Sequence, residues 1–103
     1  MNLTININKL KDISIESCLN HSPVIPELEK LTQEKVQQSI IKLKKYRKTT
    51  DPLDDKLKFL LEQCLLRVST HPILLEHKNS IDETYIYTLI KKQLYLQLPN
   101  LFQ

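Results

Sequence analysis

The chain has 103 residues, of which 41% are hydrophobic and 26% charged, and it carries a formal net charge of +3. That length makes one domain, residues 1–103, and the apolar fraction supports one modest core but not a core plus a large enclosed cavity. The charge content excludes a disordered tail and a membrane span alike.

Gly and Ala are both absent, as the codon usage of an AT-rich genome would produce. Without Gly there is no Walker loop, no dinucleotide-binding fingerprint and no nucleophile elbow, because each needs a backbone conformation that only Gly adopts cheaply. No basic segment followed by an apolar stretch opens the chain, so no secretory signal is expected. Cys18 and Cys64 are far apart in sequence, and Cys64 lies in the apolar run LLEQCLLRV. Both are expected to be reduced thiols in an intracellular protein, cytoplasmic or nuclear.

In chain order, MNLTININKL alternates Leu3, Ile5 and Ile7 with polar residues. The period of two predicts an extended or irregular N-terminal arm over residues 1–12. With no strand elsewhere to pair with, the arm is expected to find partners in another copy or another protein. A short helix capped by Asp12 and a loop ended by Pro23 and Pro26 follow. Leu28, Leu31, Val36, Ile40, Leu43 and Tyr46 recur on one face of a helix over 27–48, with Thr32 as the place where it restarts after a kink. Thr50 or Asp51 is expected to cap a helix over 52–69 whose first turn holds Asp54 and Asp55. Leu57, Leu60, Leu61, Cys64, Leu65 and Val68 mark that helix as the central, buried one. Thr70 is expected to cap a short helix over 72–78. Ser80 and Glu83 have capping-box spacing at the head of a last helix over 81–98, which Pro99 stops. The fold class is therefore all-α, a compact bundle of four or five helices with an extended or irregular N-terminal arm.

Two features bear on function. Lys35, Lys42, Lys44, Lys45, Arg47 and Lys48 stand together with no acid among them, while the rest of the chain holds nine basic residues against twelve acidic ones. Cations suit the carbonyl end of one helix, and Asp51, Asp54 and Asp55 suit the amide end of the next, so helix termini alone account for the pattern. A cluster of this density also holds phosphates or an acidic partner. Tyr46 is its only aromatic, which is thin for base stacking. The candidate contacts are Lys42, Lys44, Lys45, Arg47 and Lys48, with Leu43 and Tyr46 turned inward. The second feature is apolar surplus on the helices over 52–69 and 81–98. Leu3, Ile5, Ile7, Tyr87, Tyr95, Leu101 and Phe102 are the candidate apolar interface.

No metal or cofactor is expected. His71 and His77 miss the spacing that puts two ligands on one helical face, and neither HExxH nor CxxC occurs. Carboxylate pairs such as Asp54/Asp55 fall at helix starts, where capping explains them, and no catalytic residue is assigned. The expected function is a small non-catalytic protein–protein interaction domain, a subunit of or adaptor in a larger assembly, with a protein partner or self-association and no membrane. Nucleic-acid binding through residues 42–48 is the less favoured alternative. The stretch LTQEKVQQSIIKLKKYRK, followed by an apolar helix, resembles the helical TFIIS N-terminal and integrase-binding type of domain over residues 18–68 at most. The resemblance implies docking of disordered acidic peptides. The glycine and helix-end tryptophan common in that type of domain are missing here, and the C-terminal third has no counterpart, so acidic-peptide docking stands as a further alternative.

Overall fold

The computed structural model describes residues 4–21 and 25–102. They form an all-α bundle of six helices: α1 Ile7–Asp12, α2 Ile15–Asn20, α3 Pro26–Tyr46, α4 Leu53–Ser69, α5 Pro72–Glu76 and α6 Glu83–Gln97, followed by a 3-10 turn, Pro99–Phe102. The radius of gyration is 12.9 Å, close to the ~13 Å of a compact domain of this size.

The N-terminal arm is where the sequence pattern misleads most. Ile7 starts a helix rather than continuing a strand, and Leu3 lies outside the described residues. The Asn6 side chain accepts from the Lys9 amide at 3.1 Å and caps α1, which buries Leu10. A polar residue read as the outward half of a strand alternation is thus a helix start signal. Residues 4–6 are not strand-paired; the Tyr87 hydroxyl takes a 3.0 Å bond from the Asn6 amide and donates to the Thr4 carbonyl. The Asn6 amide and the Thr4 carbonyl are thus satisfied within the chain.

Several caps fall one or two residues away from the expected ones. Ser14, not Asp12, opens α2, accepting from the Ser17 amide at 3.0 Å. Thr32 does not restart α3: its hydroxyl bonds the Leu28 carbonyl at 2.7 Å within one continuous helix of 21 residues. Neither Thr50 nor Asp51 caps α4. Pro52 holds that position, and the Asp51 carboxylate takes the Lys48 amide at 3.0 Å instead, closing the α3–α4 loop. His71 Nδ1, not Thr70, accepts from Ile73 at the head of α5. Asp82, not Ser80, caps α6 at 2.8 Å from the Tyr85 amide, and Glu83 pairs with Lys9 at 3.4 Å.

The predicted stripe of α4 is buried throughout, from Leu57 to Val68. The helix enclosed on nearly every side is nevertheless α6, where every residue from Ile86 to Lys91 is buried. α1, α2, α3 and the C-terminal turn pack around it, while α4 lies mainly against α3. Most apolar residues of α6 therefore serve the core of this chain, Leu96 near its end being exposed.

Enclosure brings one charge with it. Lys91 is 3% exposed, and its ammonium donates to the carbonyls of Lys11, at 2.9 Å, and Ile13. These belong to the C-terminal end of α1, whose last carbonyls have no partner within the helix. Burial lowers the Lys91 pKa from its ordinary value, and the Phe102 ring lies 5.3 Å from the ammonium. Lys91 thus ties α1, α6 and the C-terminal turn together. Cys18 and Cys64 are both free, buried thiols. The Cys64 thiol shares a 3.3 Å bond with the Ser39 hydroxyl.

Candidate functional site

The α3–α4 junction gathers most of the predicted basic residues and adds some that the linear sequence does not connect. Lys44 stands in the last turn of α3, and Arg47 and Lys48 follow where the chain turns extended. The loop is fixed by two bonds between Lys48 and Asp51, one from each backbone amide. α4 returns Lys56 to the same place, where its ammonium donates to the Thr49 carbonyl at 3.2 Å. Leu43 at the end of α3 and Leu98 and Leu101 at the end of the chain come together beneath them.

The result is a groove of about 240 Å³ lined by Leu43, Lys44, Arg47, Lys48, Thr49, Lys56, Leu98, Asn100 and Leu101. Its floor is aliphatic, its rim holds four cations, and no carboxylate among the described residues lines it. A volume below the ~300–1,000 Å³ of small-molecule sites suits one side chain of a partner better than a cofactor.

The five predicted contacts divide between this groove and its surroundings. Lys44, Arg47 and Lys48 line it; Lys42 and Lys45 do not. Lys42 reaches toward the Gln63 amide oxygen of α4, at 3.5 Å. Lys45 lies 5.4 Å from the centre of the Tyr46 ring. Tyr46 is 59% exposed rather than turned inward, because α3 ends there and no neighbouring element covers that side. The Arg47 guanidinium sits 4.8 Å over the Phe59 ring and donates to the Tyr46 carbonyl at 3.2 Å. It also borders a second, polar depression shared with Asp51, Asp55, Lys58 and Glu62. Asp51 and Asp55 face that side and Asp54 pairs with Lys11, so the charged residues described in the groove are all cations.

Among the described residues the ion pairs are Lys9–Glu83, Lys11–Asp54, Lys35–Glu34 and Lys92–Glu29. None engages residues 42–48. The acids of α6 are occupied elsewhere, Asp82 by its cap and Glu83 by Lys9.

Among the described residues of the expected apolar interface, burial varies widely, and Leu3 lies outside them. Tyr87 is wholly buried, held there by its bonds to Thr4 and Asn6, so it presents nothing to a partner. Ile7, Leu101 and Phe102 are half-buried against the core, as is Tyr85. Tyr95 is half-buried and Ile5 exposed. The most exposed large apolar residues are Leu66, Ile41, Leu75 and Tyr46, which come from three different helices. Of the residues once grouped as an interface, Leu101 belongs to the groove floor. Lys56, Leu98 and Asn100 are groove residues that the sequence reading missed. They meet Lys44 and Lys48 only through the return of α4 and the chain end, and no local pattern marks them.

Among the described residues no group of three or more His, Cys, Asp or Glu is arranged to hold a metal ion. No described helix is long and apolar enough to cross a membrane. Compared with protein families, curated proteins and solved structures, the chain matches none of them, and the partial resemblance of residues 18–68 carries no family assignment.

Proposed function

We propose that this protein is a small non-catalytic interaction domain, an adaptor or subunit of a larger assembly, that docks an acidic segment of a protein partner at the α3–α4 junction. The observation that carries this reading is that Lys44, Arg47, Lys48 and Lys56 converge around one groove while, among the described residues, no carboxylate forms an ion pair with the side chains of residues 42–48. Uniform charge of this kind steers an oppositely charged partner and selects against cationic ones. Exposed pairs formed there are each worth little and are weakened by salt, so several must act together.

The aliphatic floor favours a protein segment over nucleic acid. Sequence-tolerant binding of single strands uses aromatic platforms beneath the bases, and the groove has none; Tyr46 stands outside it with Lys45 against its ring. Free, buried Cys18 and Cys64 suit a reducing compartment, and we assign the domain to the inside of the cell on that ground.

The test is a direct comparison at physiological ionic strength. Fluorescence anisotropy of a glutamate-rich peptide and of a single-stranded oligonucleotide of equal charge, each titrated with the protein, distinguishes the readings. The proposal expects the peptide to bind and the oligonucleotide to bind at least ~10-fold more weakly. Equal or tighter oligonucleotide binding overturns it.

A further inference from the structure

Charge alone makes a docking face; the groove contains more than charge. Leu43, Leu98 and Leu101 form an aliphatic floor, and cations from two separate stretches of the chain line it. Lys44, Arg47 and Lys48 come from the end of α3 and its loop, and Lys56 comes from the first turns of α4, its ammonium held at the Thr49 carbonyl. Leu43 is buried, whereas Leu98 and Leu101 remain half-exposed, so part of the aliphatic surface is open to whatever enters. Asn100 at the rim is exposed and carries both a donor and an acceptor.

Resting on the docking role proposed above, we infer that this groove is a specificity pocket for one large apolar side chain flanked by carboxylates. The apolar side chain enters over Leu98 and Leu101, and its flanking acids reach the ammonium groups of Lys44, Lys48 and Lys56. The Asn100 amide is placed to bond the partner backbone next to the anchor. A run of acids without an anchor meets the rim but leaves the floor in water. An anchor without acids gains the floor but loses the field that brings it there. The recognised feature is therefore an acid–apolar–acid segment, and the C-terminal turn, which supplies Leu101 and Asn100, is part of the recognition surface as well as of the fold.

The wild-type protein tests this without any variant. Three labelled peptides of equal length are titrated by anisotropy: one leucine flanked on each side by glutamates, the same peptide with serine for leucine, and the leucine peptide with glutamines for glutamates. The leucine–glutamate peptide is expected to bind at least ~10-fold tighter than either control, as burial of one large apolar side chain allows. Adding Leu101→Ser should reduce that preference for leucine over serine to less than ~3-fold while leaving the glutamate dependence. If the serine peptide binds within two-fold of the leucine peptide to the wild type, the pocket inference is overturned and the acidic docking role stands. If neither glutamate peptide binds, the docking role itself is overturned and the inference goes with it.

Discussion

The hydroxyl of Tyr87 accepts the backbone amide of Asn6 at 3.0 Å, joining the last long helix to the start of the chain across 81 positions. The same hydroxyl donates to the Thr4 carbonyl. One side chain therefore satisfies two backbone groups of the arm, the Asn6 amide and the Thr4 carbonyl, that would otherwise be open to another chain. Tyr87→Phe removes the oxygen and keeps the ring. The expected loss is about 1–3 kcal/mol, the cost of leaving partly buried backbone groups unmade, read as a lower midpoint in denaturant unfolding. A variant as stable as the wild type would show that residues 4–6 are held by something else.

Leu61 and Leu65 on α4 face the core, 0% and 3% exposed. Replacement of either by Ala is expected to cost about 2–5 kcal/mol. Leu66, next to Leu65 in the chain but 65% exposed, is the internal control, and Leu66→Ala should change stability by less than about 0.5 kcal/mol. Equal losses at all three positions contradict the burial pattern of this helix.

Lys91 supplies the donor for the carbonyl end of α1. Lys91→Met keeps the length and apolar contact of the side chain but removes the donor. α1 has only six residues and little stability of its own, so its amide protons should exchange faster by ten-fold or more in the variant. Amides at the centre of α3 should be unchanged. Faster exchange throughout the bundle, or none in α1, contradicts a local role for Lys91.

Burial raises the Cys64 thiol pKa from 9.0 to about 11, partly opposed by its bond to Ser39. The protonated thiol is the neutral form, so the folded state keeps a proton that the unfolded chain releases first. Stability from this group is fully present below 9.0, declines as pH rises, and is gone above about 11. Its full size is on the order of 2–3 kcal/mol. Comparing unfolding of the wild type and Cys64→Ala from pH 8 to pH 11 isolates it, since the other titrating groups are common to both. The gap between the two should narrow as pH rises; a constant gap contradicts the assignment.

The bundle was legible because its strongest signal is periodicity: Leu57, Leu61, Cys64 and Val68 recur at helical spacing whatever packs against them. Helix starts were less legible where several capping side chains stand together. Ser80, Asp82 and Glu83 compete for one helix end, and the choice is made by Lys9, which draws Glu83 into an ion pair from 74 positions away. The arm misled because Asn6 fits a strand alternation and a helix cap equally well. In the same way, the basic side of the groove was visible in Lys44, Arg47 and Lys48, whose spacing keeps them together. Lys56, Leu98 and Asn100 were not, because only the folded chain brings them there. Tyr87 and Leu101 were both read as surplus apolar surface, yet packing sends one to the core and the other to the groove.

The most direct test of the docking role is the affinity of a glutamate-flanked leucine peptide for the wild type and for the Lys44→Glu, Lys48→Glu double variant, measured at several salt concentrations. Both lysines are exposed and free of ion pairs among the described residues, so the variant should fold. It is expected to lose less than about 1 kcal/mol of stability, through Lys44 at the carbonyl end of α3. The account predicts that the wild type binds, that added salt weakens binding, and that the double variant loses at least ~10-fold in affinity. Unchanged affinity in a folded double variant would contradict it.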